Sequence, residues 1–223
     1  IATVEKIAIN AVMAGCKPEH LPVILAAVEA MNDRLFSLRH VAMSSSPYAP
    51  MLLVNGPYAK KIGINAGRGC FGPGAPSAVN TVIGRAIRLI MMNIGGAWLG
   101  VMDQDAHGHP NKYSMCIGEM EAESPWQPLH VERGYRPDES TVTVFAVHGS
   151  VAYSDTRNSE AGPFLEAIAR IASNVGPGPA GIWTLRPTAP HADHEFGREP
   201  EISDQHICIV FSVNHANILR SQN

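Results

Sequence analysis

Over residues 77–94 the apolar side chains Val79, Val82, Ile83, Ala86, Ile87, Ile90, Met91 and Ile94 recur at i, i+3, i+4 spacing. That period lays one apolar stripe along a helix. A stripe this regular must be covered by another layer of structure, so it commits the chain to a packed core. Gly95 and Gly96 end the helix. The composition can supply such a core, because hydrophobic residues make up 45% of the chain and charged ones 17%, which excludes disorder over most of the length. With 17 Lys+Arg against 20 Asp+Glu, a net charge of −3, the chain lacks the basic excess of a nucleic-acid-binding domain. No apolar run reaches the roughly 18 residues of a membrane span. No charged segment precedes an apolar one at the start, as it would in a secretory leader. A cytoplasmic protein with neither nucleic acid nor membrane as partner is expected.

The same periodicity predicts a helix over 3–14, ended by Gly15, and another running from Pro18 or Pro22 to Met31, since proline is tolerated only in a first turn. Short apolar runs over 38–43 and 51–54, bracketed by serines, prolines and Asn55-Gly56, predict strands. A glycine-rich loop follows over 63–74. Between 97 and 138 the periodicity fails, and glycine, proline, histidine and acids dominate. A stretch that long in a compact domain is functional or conceals short elements. Beyond it come a strand over 141–147, a helix over 162–175, strands over 182–185 and 206–213, and a closing helix at Asn214. The alternation predicts an α/β fold with a mixed or partly parallel sheet and packed helices. It is expected as one domain over 1–223, with a helical N-terminal part over 1–36 and an irregular, site-bearing insertion over 97–138.

Cys16, Cys70, Cys116 and Cys208 are widely spaced and form no C-x-x-C pair, which argues against a zinc knuckle and a dithiol motif. Cys16 precedes Lys17-Pro18-Glu19-His20 at the mouth of a helix. The helix end, the lysine and the imidazole would all favour its thiolate. Cys16 is therefore the candidate nucleophile and the thiol expected to alkylate fastest, with Cys208 hidden in an apolar strand; a buried cysteine in a helix turn is the alternative. The run 67–74 formally contains G-x-G-x-x-G, but Pro73 and Pro76 intervene and no acid stands at the dinucleotide-binding distance. An anion seat at a helix N-terminus is the more general reading, with Arg68, Gly69 and Cys70 in the loop and Asn55 and Asn65 before it as candidate substrate contacts. Arg85, nearer the helix start than Arg88, is the candidate anion clamp; Arg88 is expected on a solvated face.

The segment Lys112-Tyr113-Ser114-Met115-Cys116, with Glu119, Glu121, Trp126, His130, Glu132 and Arg133, mixes acids, a base, a thiol and aromatics, as a pocket lining does. His20 or His130 would carry the proton, Glu119 or Glu132 would be its carboxylate partner, and Lys112, Tyr113, Cys116 and Trp126 would touch substrate. His107 and His109 lie near Asp103 and Asp105, and His191-Ala192-Asp193-His194-Glu195 supplies three ligand types. The second motif is not H-E-x-x-H and is one fixed ligand short. No cofactor is expected, and a metal is the less favoured alternative.

Five segments together resemble a known family: AINAVMAGCKPEHLPV over 8–23, Asn55-Gly56-Pro57, Gly63-Ile64-Asn65, TVIGRA over 81–86, and SPWQPLHVERG over 124–134. They are similar to the large domain that accompanies UGSC-motif proteins, bacterial proteins labelled thiol oxidoreductases, some of them selenocysteine-containing. The likeness spans nearly the whole chain. The chain itself contains no UGSC or CGSC sequence, so the resemblance implies that a preceding part or a separate subunit carries the redox motif. An oligomer with such a partner, or with further copies of this chain, is expected, since the first helix is amphipathic from its first turn and Ile1 opens the sequence. Thiol-dependent oxidoreductase or lyase chemistry on a small polar or anionic molecule is the leading functional expectation. Its rivals are a metal-dependent hydrolase or hydratase using the C-terminal histidines, and a non-catalytic scaffold completing a partner's site.

Overall fold

A computed structural model describes residues 1–71, 78–156, 158–172 and 208–221. The chain divides into two compact units, Ile1–Ala122 with Trp126–Ser150, and Glu123–Pro125 with Val151–Asn223. The first unit is an α/β structure: helices packed on a three-stranded mixed sheet of order β2-β1-β3. Strand β1 (Ala49–Asn55) is central, parallel to β2 (Cys116–Gly118) and antiparallel to β3 (Thr141–Val147). Leu52 aligns with Cys116 on one side and with Val144 on the other. Nearly every residue of β1 is buried, as a central strand covered on both faces requires.

Helix α1 (Val4–Met13) starts at Thr3, whose hydroxyl accepts from the Lys6 N–H at 3.3 Å, an ordinary N-cap. A 3-10 turn at Pro18–His20 leads into α2 (Leu21–Met31), so both prolines fall in first turns. Helix α5 (Val79–Asn93) carries the predicted stripe, with Ile83, Ala86 and Ile87 essentially inaccessible. It packs on β1 and β2, while α2 covers β3 and α1 lies against α2 and α5. With Ile24, Ala27, Leu52 and Val54 these residues make one core, each large side chain contributing about 1.5–3 kcal/mol by leaving water. Gly84 makes the helix-to-sheet approach close enough. A Cβ there would run into the Ser114 hydroxyl and the Met115 backbone, so the roughly 1 kcal/mol that glycine costs a helix interior is offset by packing. On α1, Ile7 and Ala11 pack while Val4 and Val12 are exposed.

The strand expected over 38–43 is a helix, α3 (Leu38–Met43). Its packed residues Leu38, Val41 and Ala42 have helical spacing, which a short apolar run conceals, and Ser37 in the left-handed region at φ 51° turns the chain into it. A further short helix, α4 (Pro57–Ile62), follows β1 directly. The irregular stretch conceals β2, a 3-10 turn at Pro110–Lys112 and the one-turn helix α6 (Leu129–Glu132).

In the second unit, α7 (Ala161–Ala172) and α8 (Val213–Arg220) are described. Phe164 is buried and stacks on the His215 ring, centroids 4.6 Å apart. Residues 208–212 form no strand, and Cys208 is exposed, contrary to the apolar strand expected over 206–213, which was to hide it. A short continuous apolar run such as Cys208-Ile209-Val210-Phe211 is consistent with a buried strand, but periodicity alone does not require one. The strand expected over 182–185, residues 206 and 207, and the end of the helix expected over 162–175 lie outside the described residues. Among the described residues no helix is long and apolar enough to cross a membrane.

Candidate functional site

Strand β1 ends in Asn55-Gly56, and the parallel strand β2 ends beside it, Val54 aligned with Gly118. Ligands of open α/β sheets bind outside such carboxyl ends. Glu119 and Glu121 follow β2 at once, and both turn toward Asn55. The Asn55 amide, fully buried, donates to Glu119 Oε2 at 2.6 Å and to Glu121 Oε1 at 3.0 Å. Two backbone N–H groups complete the hold: Gly56 donates to Glu121 Oε1 at 2.6 Å, and Leu129, at the start of α6, donates to Glu119 Oε2 at 2.9 Å. Each carboxylate is thus fixed through one oxygen. His130 follows on α6, 2% exposed, with Nδ1 4.0 Å from Glu121 Oε1.

Among the described residues, both ring nitrogens of His130 lack a hydrogen-bond partner, as do Asn55 Oδ1 and Thr141 Oγ1. Thr141 pairs with Asn55 across β1 and β3, so their side chains share a face. These four atoms are the complete set of unpartnered buried side-chain nitrogens and oxygens among the described residues. Leaving one such group unpaired costs about 1–3 kcal/mol. Their gathering at one strand end makes that end the candidate site, since buried polar groups are ordinarily hydrogen-bonded.

The glycine-rich loop begins beside this cluster. The Asn65 N–H donates to Asn80 Oδ1 and the Asn80 amide donates back to the Asn65 carbonyl, both at 2.8 Å. The Gly118 N–H donates to that same carbonyl at 3.2 Å. The Asn65 side chain accepts from Gly67 and donates to the Arg68 carbonyl, while the Arg68 side chain is exposed and Gly69 takes a positive φ of 71°. Cys70 and Cys116 line one small cleft of about 150 Å³ with Asn80, Thr81 and Ser114. Residues 72–77 lie outside the described residues.

Other expected site residues are engaged elsewhere. The Lys112 ammonium bonds to Asp103 and Asp105, each at 2.8 Å, and Arg88 bonds to Asp103 at 3.0 Å. Arg88 is therefore the partner of a buried acid and not a residue of a solvated face, a pairing across 15 positions that helical periodicity cannot reveal. The Arg85 guanidinium lies 4.2 Å above the Tyr113 ring, a cation–π contact. His20 is buried, and its Nδ1 accepts from the Lys17 N–H at 3.2 Å. Burial holds its pKa below the ordinary imidazole value, with Glu19 opposing and Lys17 assisting. Glu132 and Trp126 are exposed. Glu121, which the sequence reading counts only among the acids of its region, is the carboxylate nearest His130. Asn80 and Thr141 gave no sequence signal, because neither lies in a recognisable motif.

The expectation that Cys16 ionises near neutral pH fails. Its Sγ donates to the Val82 carbonyl at 3.3 Å, and burial pushes the thiol up to about 11. Cys116, buried beneath the sheet edge, is pushed up to about 12 by burial and by the charge Cys16 would carry. The helix-end argument fails because desolvation outweighs a partial backbone charge. Mass-spectrometric alkylation at pH 7 is expected to find Cys16 at least about tenfold slower than the exposed Cys208; a Cys16 that reacts first would restore the nucleophile.

Among the described residues no three His, Cys, Asp or Glu side chains gather as a metal site; His191 and His194 lie outside them. No protein-family model, no curated protein and no solved structure matches the chain.

Proposed function

We propose that the chain is an enzyme domain that binds a small polar molecule at the carboxyl ends of β1 and β2 and moves a proton on it through His130. What carries this reading is the concentration of unpartnered buried polar atoms around Asn55, Thr141 and His130, next to two carboxylates that backbone N–H groups hold in place. A neutral imidazole has one donor and one acceptor nitrogen, so His130 can take a proton from one position of a bound molecule and return it at another. Glu121 would orient the ring, and Asn55 fixes both acids. Elimination, hydration and isomerisation all need that step. Thiol chemistry at Cys16 is not part of the reading, for the reasons given above. Assembly with a UGSC-type domain or subunit is a further proposal, supported by the sequence likeness alone.

Deuterium exchange tests the proton step before the product is known. In D₂O the protein is expected to wash deuterium into a carbon position of at least one member of a panel of small hydroxy, oxo and amino compounds. His130→Gln should slow that exchange about 100-fold or more, with the fold intact by circular dichroism, while Cys16→Ser leaves it unchanged. Exchange that survives His130→Gln would remove the assignment.

A further inference from the structure

We infer that the ligand of this site presents an ammonium or other cationic nitrogen to Glu119 and Glu121, an inference that rests on the proposed function and names its substrate class. Two negative carboxylates stand at one strand end. Three N–H donors, from Asn55, Gly56 and Leu129, reach Glu119 Oε2 and Glu121 Oε1. Glu119 Oε1 and Glu121 Oε2 take no hydrogen bond from a described residue, and neither acid pairs with a lysine or arginine among them. The charge is held in place, and no lysine or arginine among the described residues neutralises it. Glu121 keeps 14% of its side chain open to water.

Most of the unpartnered atoms can accept, the exception being the N–H of a neutral His130. Asn55 Oδ1 can only accept, Thr141 Oγ1 and one nitrogen of a neutral His130 can accept, and the two free carboxylate oxygens accept. A ligand that completes this set brings N–H donors and positive charge. An anion would meet two like charges with no lysine or arginine opposing them among the described residues, a costly arrangement away from water. A bare metal ion fits less well, because the donor N–H of Asn55 stands between the carboxylates where the ion would sit, and the acids and His130 do not converge as ligands. A primary ammonium carries three donors on one charge and answers both demands.

Nuclear magnetic resonance titration of the full chain separates the outcomes. The probes are propylammonium, 1-propanol and propanoate at neutral pH, with manganese(II) as a fourth arm, read at the His130 ring and the Gly56 and Leu129 amides. Propylammonium is expected to shift these signals and to saturate at a concentration on the order of tenfold lower than propanol, with the response lost in Glu121→Gln and weakened by salt. Glu119→Gln serves as the second variant should Glu121→Gln not fold. Propanol or propanoate binding as well as the ammonium, with His130 responding, would overturn the cationic ligand and leave the proton-transfer site standing. Broadening by manganese(II) with no response to propylammonium would overturn it in favour of a metal ion. If no probe moves His130, both the ligand class and the site itself fall.

Discussion

Lys112→Met is expected to lower the stability of the first unit by about 3 kcal/mol or more, because it leaves a buried carboxylate without its charge partner. Asp103 is 1% exposed and Asp105 nearly as buried, and the Lys112 ammonium serves both. Asp103 would keep Arg88, and Asp105 would keep only the N–H groups of His107 and Gly108. Methionine preserves the length and apolar bulk of the stem, so the loss reports on charge.

The pH dependence identifies the cause. Burial alone would raise the Asp103 and Asp105 carboxyls, but Lys112 and the backbone N–H groups, with Arg88 at Asp103, outweigh it and hold both below the ordinary 3.8. A depressed carboxyl stabilises the fold at pH values above its unfolded value and loses that contribution as the pH falls through its folded one. Urea unfolding should therefore show wild type and Lys112→Met far apart at pH 7, and converging as the pH drops below the ordinary 3.8 toward the lower folded values. A difference under about 1 kcal/mol at pH 7, or one that does not shrink in acid, would mean that the pair is screened as a surface pair is.

Gly56→Ala is expected to cost about 3 kcal/mol and to disorganise the candidate site together with the fold. Gly56 has φ 87° and ψ −176°, a region that side chains other than glycine's do not adopt without strain. A Cβ at that position would also meet the Glu139 carbonyl and the backbone of Ser140. The two nearest of those contacts are with backbone atoms, which cannot swing aside as a side chain can, so overpacking adds to the dihedral strain. The Gly56 N–H is one of the two bonds holding Glu121 Oε1, so the acid should lose its position as well. Denaturant unfolding gives the loss, and the His130 ring signals give the local effect. A stable Gly56→Ala protein with unchanged His130 signals would show that β1 can end in another conformation.

The local elements were legible in residues 77–94 because one helix face meets one core, and the stripe repeats through several turns. Thr3 as a cap and Pro18 and Pro22 in first turns were legible for the same reason: each acts within a few residues of its own position. Leu38–Met43 was not, because so short an apolar run fits either period. The candidate site was half legible. The density of acids, His130 and aromatics over 112–133 marked the region, and Asn55 and Glu119 stood among its candidates. Their bonds span 64 positions or more, a separation no window of sequence contains.

By itself the sequence determined the α/β class and the core helix and pointed to the neighbourhood of the candidate site, since periodicity, capping and composition act through nearest neighbours. Only the tertiary structure decided which charges are spent and which are free. It paired Lys112 and Arg88 with buried acids and pressed Cys16 against a carbonyl, where burial suppresses its ionisation. It also left Glu121 beside an unpartnered His130. The reason is desolvation: the ionisation and bonding of a side chain depend on what surrounds it in space, and that is set by packing between segments distant in the chain.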